Sequence, residues 1–353
     1  AGIVGFKGQT TLLMSYGDLE GISQNDKIKV VETTQYVSVG NHLLGRILDA
    51  FGQPIDGLGF KETLTRRNIF CQPPDPLKRP KISEPLPLGI RSIDGLLTVG
   101  KGQRIGVFAG TGVGKSVTIG MIAKYSKADV IVICLVGERG REVREFIEND
   151  LGAEALKRSV VVVSTSDKPA LQRVRSVFVA TSVAEYFRDL GKNVLLIMDS
   201  ITRVAMAQRE IGLSAGEPPA TKGYPPSVFN LLPRFLERAG RSEKGSITGV
   251  YSVLLEGDDI NDPIGDAARG ILDGHIVLSR SLASKGQYPA VDVINSISRV
   301  MPLILPKNIL VCQQKIKSLM ASFQEAEDLI NIGAYVKGTN KEVDKAIEMR
   351  QSF

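Results

Sequence analysis

The sequence predicts an α/β protein with a largely parallel sheet, a small β-rich unit before it and helices after it. Three observations carry that expectation. From about residue 88 to 300, apolar runs alternate with helical patterns, as in strand–helix–strand units. Several of those runs are apolar without interruption, as strands buried on both faces are. One of them, Arg104–Ala109, leads directly into Gly110-Thr-Gly-Val-Gly-Lys-Ser116, a glycine turn that opens a helix.

Residues 1 to about 70 alternate short β-like runs with turns. Thr11–Met14, Lys27–Val31 and Leu43–Leu48 are the runs, and Gly52-Gln-Pro54 and Asp56-Gly57 are turn signals. They predict part of a small β-barrel over 1–72. A proline-rich connector from Gln72 to Pro87 follows. The strands expected next are Arg104–Ala109, Asp129–Val136, Ser159–Ser164, Asn193–Met198 and Ser246–Leu255, within a nucleotide-binding domain spanning 73–306. A long helix is expected from Pro169 to Leu190, because Leu171, Val174, Val177, Phe178, Thr181, Ala184 and Phe187 recur at helical spacing. That stripe is core packing. Gly216–Pro226 is too rich in Pro and Gly for a helix or strand. Ile316–Ile332 and Glu342–Met349 are expected helices in a shortened C-terminal helical domain, 307–353.

Of the 353 residues, 43% are hydrophobic and 23% charged, ordinary for a globular protein with a real core. No apolar run is long enough to span a bilayer. The three cysteines, Cys71, Cys134 and Cys312, are far apart and suit reduced thiols in a cytoplasmic protein. Two histidines, His42 and His275, leave little room for His-based metal chemistry. The net charge of +6 is spread thinly, which argues against a specific nucleic-acid surface. The chain opens on Ala1, which reads as a piece of a longer protein.

Chemistry concentrates in three places. In the first, Gly110, Gly112 and Gly114 let the backbone fold tightly, so that its N–H groups point at phosphate oxygens. Lys115 adds charge for terminal phosphates, and the Ser116 hydroxyl is a candidate Mg2+ ligand. Ala109 stands where the usual pattern has Gly. In the second, Val194–Asp199 is an apolar strand ending in a carboxylate that can hold Mg2+. In the third, Leu135-Val-Gly-Glu-Arg-Gly-Arg-Glu142 puts Glu138 at the same sheet edge, where it can polarise an attacking water. Glu142 and the charges beyond it read instead as a solvated, ion-paired helix start.

Gly-Glu-Arg-Gly-Arg-Glu (137–142), Met-Asp-Ser-Ile-Thr-Arg (198–203) and Tyr288-Pro-Ala-Val-Asp-Val-Ile-Asn-Ser-Ile-Ser-Arg-Val-Met301 together resemble the type III secretion ATPases. That family is related to the catalytic subunits of rotary ATP synthases. The stretch from Ala205 to Ser227 is most similar to the flagellar export branch, with the injectisome branch as the alternative. The resemblance implies an α/β fold with a P-loop NTPase (RecA-like) core, a partial N-terminal β-barrel and a C-terminal helical domain. It also implies ATP and Mg2+, and a homohexameric ring. The nucleotide would be held by Gly110, Thr111, Gly112, Val113, Gly114, Lys115, Ser116 and Val117, with Tyr288 stacked on adenine. Ser116 and Asp199 would hold Mg2+, and Lys115, Glu138, Arg139 and Arg299 would be catalytic. Arg299 would be an arginine finger reaching a neighbour's nucleotide, with Arg269 and Arg280 as competing arginines. Further implied are a stator-like regulatory subunit, a central coiled-coil stalk protein, export chaperones and substrates, and peripheral contact with a membrane export gate. The family's N-terminal segment, implicated in ring assembly, has no match here. Two other functions compete. A hexameric nucleic-acid translocase would need interleaved aromatic and basic residues, yet aromatic residues are 6% and Trp is absent. A non-hydrolysing ring subunit would not need Glu138.

Overall fold

The computed structural model describes residues 1–17, 19–23, 26–30, 34–59, 65–259 and 262–349. Its strands are β1 (Gly2–Lys7), β2 (Thr10–Met14), β3 (Tyr36–Val39), β4 (Arg46–Leu48) and β5 (Thr65–Asn68). They continue with β6 (Arg104–Ala109), β7 (Val130–Val136), β8 (Ser159–Ser164) and β9 (Asn193–Asp199). The last are β10 (Gly240–Arg241), β11 (Ser246–Leu254), β12 (Gly274–Leu278) and β13 (Val291–Ser298). The helices begin with α1 (Arg91–Leu96), α2 (Lys115–Tyr125), α3 (Gly140–Glu145), α4 (Gly152–Leu156), α5 (Ala170–Asp189) and α6 (Ile201–Ser214). They end with α7 (Pro226–Leu236), α8 (Pro263–Ile271), α9 (Arg280–Ser284), α10 (Met301–Ile304), α11 (Lys307–Asn331) and α12 (Lys341–Met349). A π-helical turn, Phe146–Leu151, joins α3 to α4.

The main sheet runs β13-β12-β6-β11-β9-β7-β8-β4, with β10 beside β11. The strands from β12 to β4 pair in parallel, while β13 and β10 are antiparallel. Alternate side chains of each strand enter opposite cores. Val132, Cys134, Leu196 and Met198 pack toward α5, α6 and α7. Ile131, Ile133, Leu195 and Ile197 pack beneath α1 and α2. This two-sided burial is why the strands read as unbroken apolar runs.

The N-terminal unit holds two antiparallel ribbons, β1 with β2 and β3 with β5. Leu43–Leu48 departs from the expected barrel strand. It is a 3-10 turn followed by β4, which pairs with β8 at the edge of the main sheet. Leu43 and Leu48 are buried in the same core as Val160 and Val162, so burial decides where this segment goes. Residues 27–30 of the Lys27–Val31 run have no regular structure, and Val31 lies outside the described residues.

Helix α5 matches the predicted helix but is buried almost all round. The N-terminal unit covers its outer side. Arg175 donates to the carbonyls of Ala50 and Tyr36. Glu185 is held by Arg238 at 2.7 Å and by Arg67 of β5 at 3.2 Å. The predicted Ile316–Ile332 helix is the second half of the 25-residue α11. Among the described residues, no helix is long and apolar enough to cross a membrane.

Candidate nucleotide site

The loop after β6 is shaped by its glycines. Gly112 and Gly114 have φ of 77° and 84°, the left-handed region that side chains avoid. Gly114 is the N-cap of α2, so Lys115 begins the helix. The first N–H groups of that helix lack intrahelical partners and face the loop, a natural anion site. Val113 is buried and anchors the loop to the core. Thr111 and Ser116 face solvent, and Val117 is exposed.

Strand order then gathers residues that are far apart in sequence. Along β6-β11-β9-β7, the carboxyl ends present the loop, Ser252, Asp199 and Glu138 in turn. The Lys115 ammonium contacts the Asp199 carboxylate directly and lies 3.6 Å from Glu138 Oε1. The Ser252 hydroxyl donates to Asp199 Oδ1 at 2.6 Å, orienting the carboxylate. Ser116, Leu135, Glu138, Glu142, Val143, Phe146 and Asp199 line a small pocket there.

Glu138 has a largely buried side chain. Its Oε1 is buried and has no hydrogen-bond partner. Burial pushes its carboxyl up to about 7, against the opposing charge of Lys115 and with help from Asp199 and a hydrogen bond with Glu142. Ser116 and Asp199 supply hard oxygen donors, and the orphaned Glu138 oxygen faces the same pocket. The set suits a dication that takes few protein ligands and keeps waters and phosphates, as Mg2+ does.

Tyr288 comes from the other side of the site. A Cβ on Gly114 would stand 3.4 Å from Tyr288 Cδ1 and Cε1, so the ring lies against the loop while 61% exposed. Arg139 is not brought in. Its side chain is 83% exposed and sits 3.9 Å from Glu142. Arg299 is also absent from its own chain's site. β13 begins beside β12 and the loop, with Leu278 opposite both Val291 and Ala109. It ends with Ser298 opposite Gly274, at the far edge of the sheet. A bulge between these pairs sets the eight residues of β13 against only five of β12, so Arg299 lies roughly 16 Å from the loop's edge. Arg280 is exposed at the start of α9, on the loop's edge, whereas Arg269 lies in α8 beside Arg299.

Two contributors were missed by sequence reasoning. Ser252 is one, since a serine in an apolar strand carries no signal. Glu142 is the other. Arg141–Glu145 and Arg144–Glu148 are surface pairs at 2.9 and 2.8 Å, as expected. Glu142 instead turns into the pocket and meets Glu138. Glu142 is the third residue of α3 and accepts from the Arg139 backbone N–H at 3.4 Å, a capping contact that holds it back toward the helix start and Glu138.

Residues 89–298 match the ATP synthase alpha/beta family, nucleotide-binding domain. Residues 306–353 match the T3SS EscN ATPase C-terminal domain. The flagellum-specific ATP synthase of Bacillus subtilis is 58% identical over 99% of this chain and 80% of its own. The assembled ATPase EscN of the enteropathogenic E. coli type III secretion system superposes with a TM-score of 0.94. It is 48% identical, covering 99% of this chain and 85% of that one. EscN in complex with its central stalk EscO gives a TM-score of 0.84 at 51% identity, over 90% of this chain and 76% of that one.

Proposed function

We propose, for a chain that belongs to the ATP synthase alpha/beta family in its type III secretion branch, that ATP hydrolysis here energises flagellar protein export. The observation that carries the chemistry is the meeting of Lys115, Asp199 and Glu138 beside a glycine loop at the sheet's carboxyl edge. The loop's amides hold the phosphates, and Lys115 balances the charge of the terminal ones. Ser116 and Asp199 would hold Mg2+, which when bound would neutralise phosphate charge. Glu138 orients the attacking water and accepts its proton, a role suited to a carboxyl that titrates near neutral pH. Tyr288 offers its exposed face to adenine.

Arg299 serves the neighbouring protomer in a homohexameric ring, because its own phosphate loop is out of reach. Arg139 then faces a ring neighbour rather than the nucleotide. The domain division at 1–72, 73–306 and 307–353 places the catalytic groups in the middle unit. The stator-like subunit, the central stalk, chaperones and export substrates are the partners of such a ring, at the cytoplasmic face of an export gate. Injectisome export is the second reading, favoured by the likeness to EscN. The gene neighbourhood separates the two.

The test of the shared site is mixing. Glu138→Gln and Arg299→Ala proteins are each nearly inactive alone. Mixed rings contain interfaces with an intact Glu138 and an intact Arg299, so turnover returns in part. Mixed oligomers that form and stay inactive would remove Arg299 from the mechanism.

A further inference from the structure

Arg299 is held by the C-terminal end of helix α8. Its guanidinium donates to the carbonyls of Leu272 at 3.4 Å and Arg269 at 3.5 Å, and its backbone N–H donates to Asp273 O at 3.0 Å. These carbonyls belong to the C-terminal turn of α8 and the residues just past it, where the helix dipole is negative and favours a cation.

The helix end is itself anchored. The Arg269 guanidinium lies over the Phe108 ring, 5.5 Å from its centroid. Phe108 is buried in β6, one residue before Ala109 and the phosphate loop. Its ring folds back over Gly106, where an added Cβ would meet Phe108 Cε2 at 2.3 Å and Leu272 Cδ1 at 3.0 Å. His275 meets the same ring edge-on at 5.7 Å and bonds Asn295 O at 3.2 Å. Burial is the main reason His275 titrates low, and the charges of Arg269 and Arg299 add to it. Arg269 is thus fixed over the Phe108 ring and 3.7 Å from Asp266, while the Arg299 guanidinium rests on hydrogen bonds of 3.4 and 3.5 Å.

We propose that Arg269 is a positioning residue for the trans-acting Arg299: its stacking on Phe108 fixes the α8 carbonyls that aim the Arg299 guanidinium at the next protomer's phosphates. The proposal rests on the shared-site reading above. A displacement of about 1 Å in a catalytic group costs about a hundredfold in rate. Arg269→Met, which keeps bulk and loses charge, lowers kcat by about tenfold to a hundredfold with KM for ATP unchanged. Arg269→Lys, which keeps a cation over the ring, loses less.

Mixed rings decide where Arg269 acts, with Glu138→Gln plus Arg299→Ala as the control mixture. The Arg269→Met protein carries an intact Glu138 and a misplaced finger. Mixing it with Glu138→Gln protein restores turnover, and mixing it with Arg299→Ala protein does not. The opposite pattern would show that Arg269 serves its own chain's site, and would overturn the proposal. Rescue by both partners, rescue by neither, or wild-type turnover of Arg269→Met alone would overturn it as well. A silent control mixture would instead sink the shared-site reading itself. ATP binding by each protein alone checks folding, and Arg269→Gln carries the same test if Arg269→Met does not fold.

Discussion

Glu138 combines three properties that rarely coexist on one carboxyl. It is largely buried, its Oε1 accepts no hydrogen bond, and the Lys115 ammonium lies 3.6 Å from that same oxygen. Burial dominates and lifts its titration to about 7, while an unfolded chain releases the proton near the ordinary glutamate value. The folded state thus holds the proton longer, so stability falls as pH rises from the unfolded value to about 7. Glu138→Gln cannot ionise and escapes that loss. Its melting temperature exceeds wild type at pH 8, equivalent to about 1–3 kcal/mol, and the gap closes toward pH 5. A gap that is constant with pH would mean that Glu138 titrates as an exposed carboxylate does. The variant also binds ATP and fails to turn it over. Gly110–Ser116, Glu138 and Asp199 were legible in the sequence because each sits in a local pattern of strand, turn and charged residue. Ser252 was not, because it reaches Asp199 only through the pairing of β11 with β9.

The edge strand β13 shows how one element can serve two sites. Tyr288 precedes it at the loop's edge of the sheet, and Arg299 follows it at the opposite edge. A bulge between Asp292 and Ile297 separates the two ends. Base–aromatic stacking contributes about 1–3 kcal/mol, which is roughly a 5- to 150-fold change in Kd. Tyr288→Ala raises the Kd for ATP within that range, and Tyr288→Phe leaves it nearly unchanged. Three equal affinities measured by titration calorimetry would take the ring out of the base pocket. At this scale the strands β6 to β9 and helix α5 were readable from apolar period and length alone. Leu43–Leu48 was not. Its apolar pattern fits a small barrel as well as a sheet edge, and the long-range contact with Val160 and Val162 decides between them.

In the whole molecule, the segment Gly216–Pro226 joins α6 to α7. As expected from its Pro and Gly content, it forms neither helix nor strand beyond a 3-10 turn at Thr221–Gly223, until Pro226 opens α7. It follows α6, which starts right after Asp199. Lys222 adopts φ 48°, a left-handed conformation uncommon for a residue with a side chain. Its ammonium pairs with Asp259 at 2.9 Å, and Asp259 lies just past β11, the strand that carries Ser252. The loop is thus attached on both sides to elements that touch Asp199. A half-exposed pair such as this is weak, about 0–1 kcal/mol, so it can break and re-form as the site fills and empties. In a ring, six such loops would line the opening and meet the central stalk. Cysteine placed at Lys222 therefore crosslinks to the stalk protein in the assembled complex, with a yield that differs between ADP and a non-hydrolysable ATP analogue. Crosslinks that never reach the stalk would put the loop elsewhere. A yield independent of nucleotide would keep the loop at the opening but deny it any part in transmitting the state of the site.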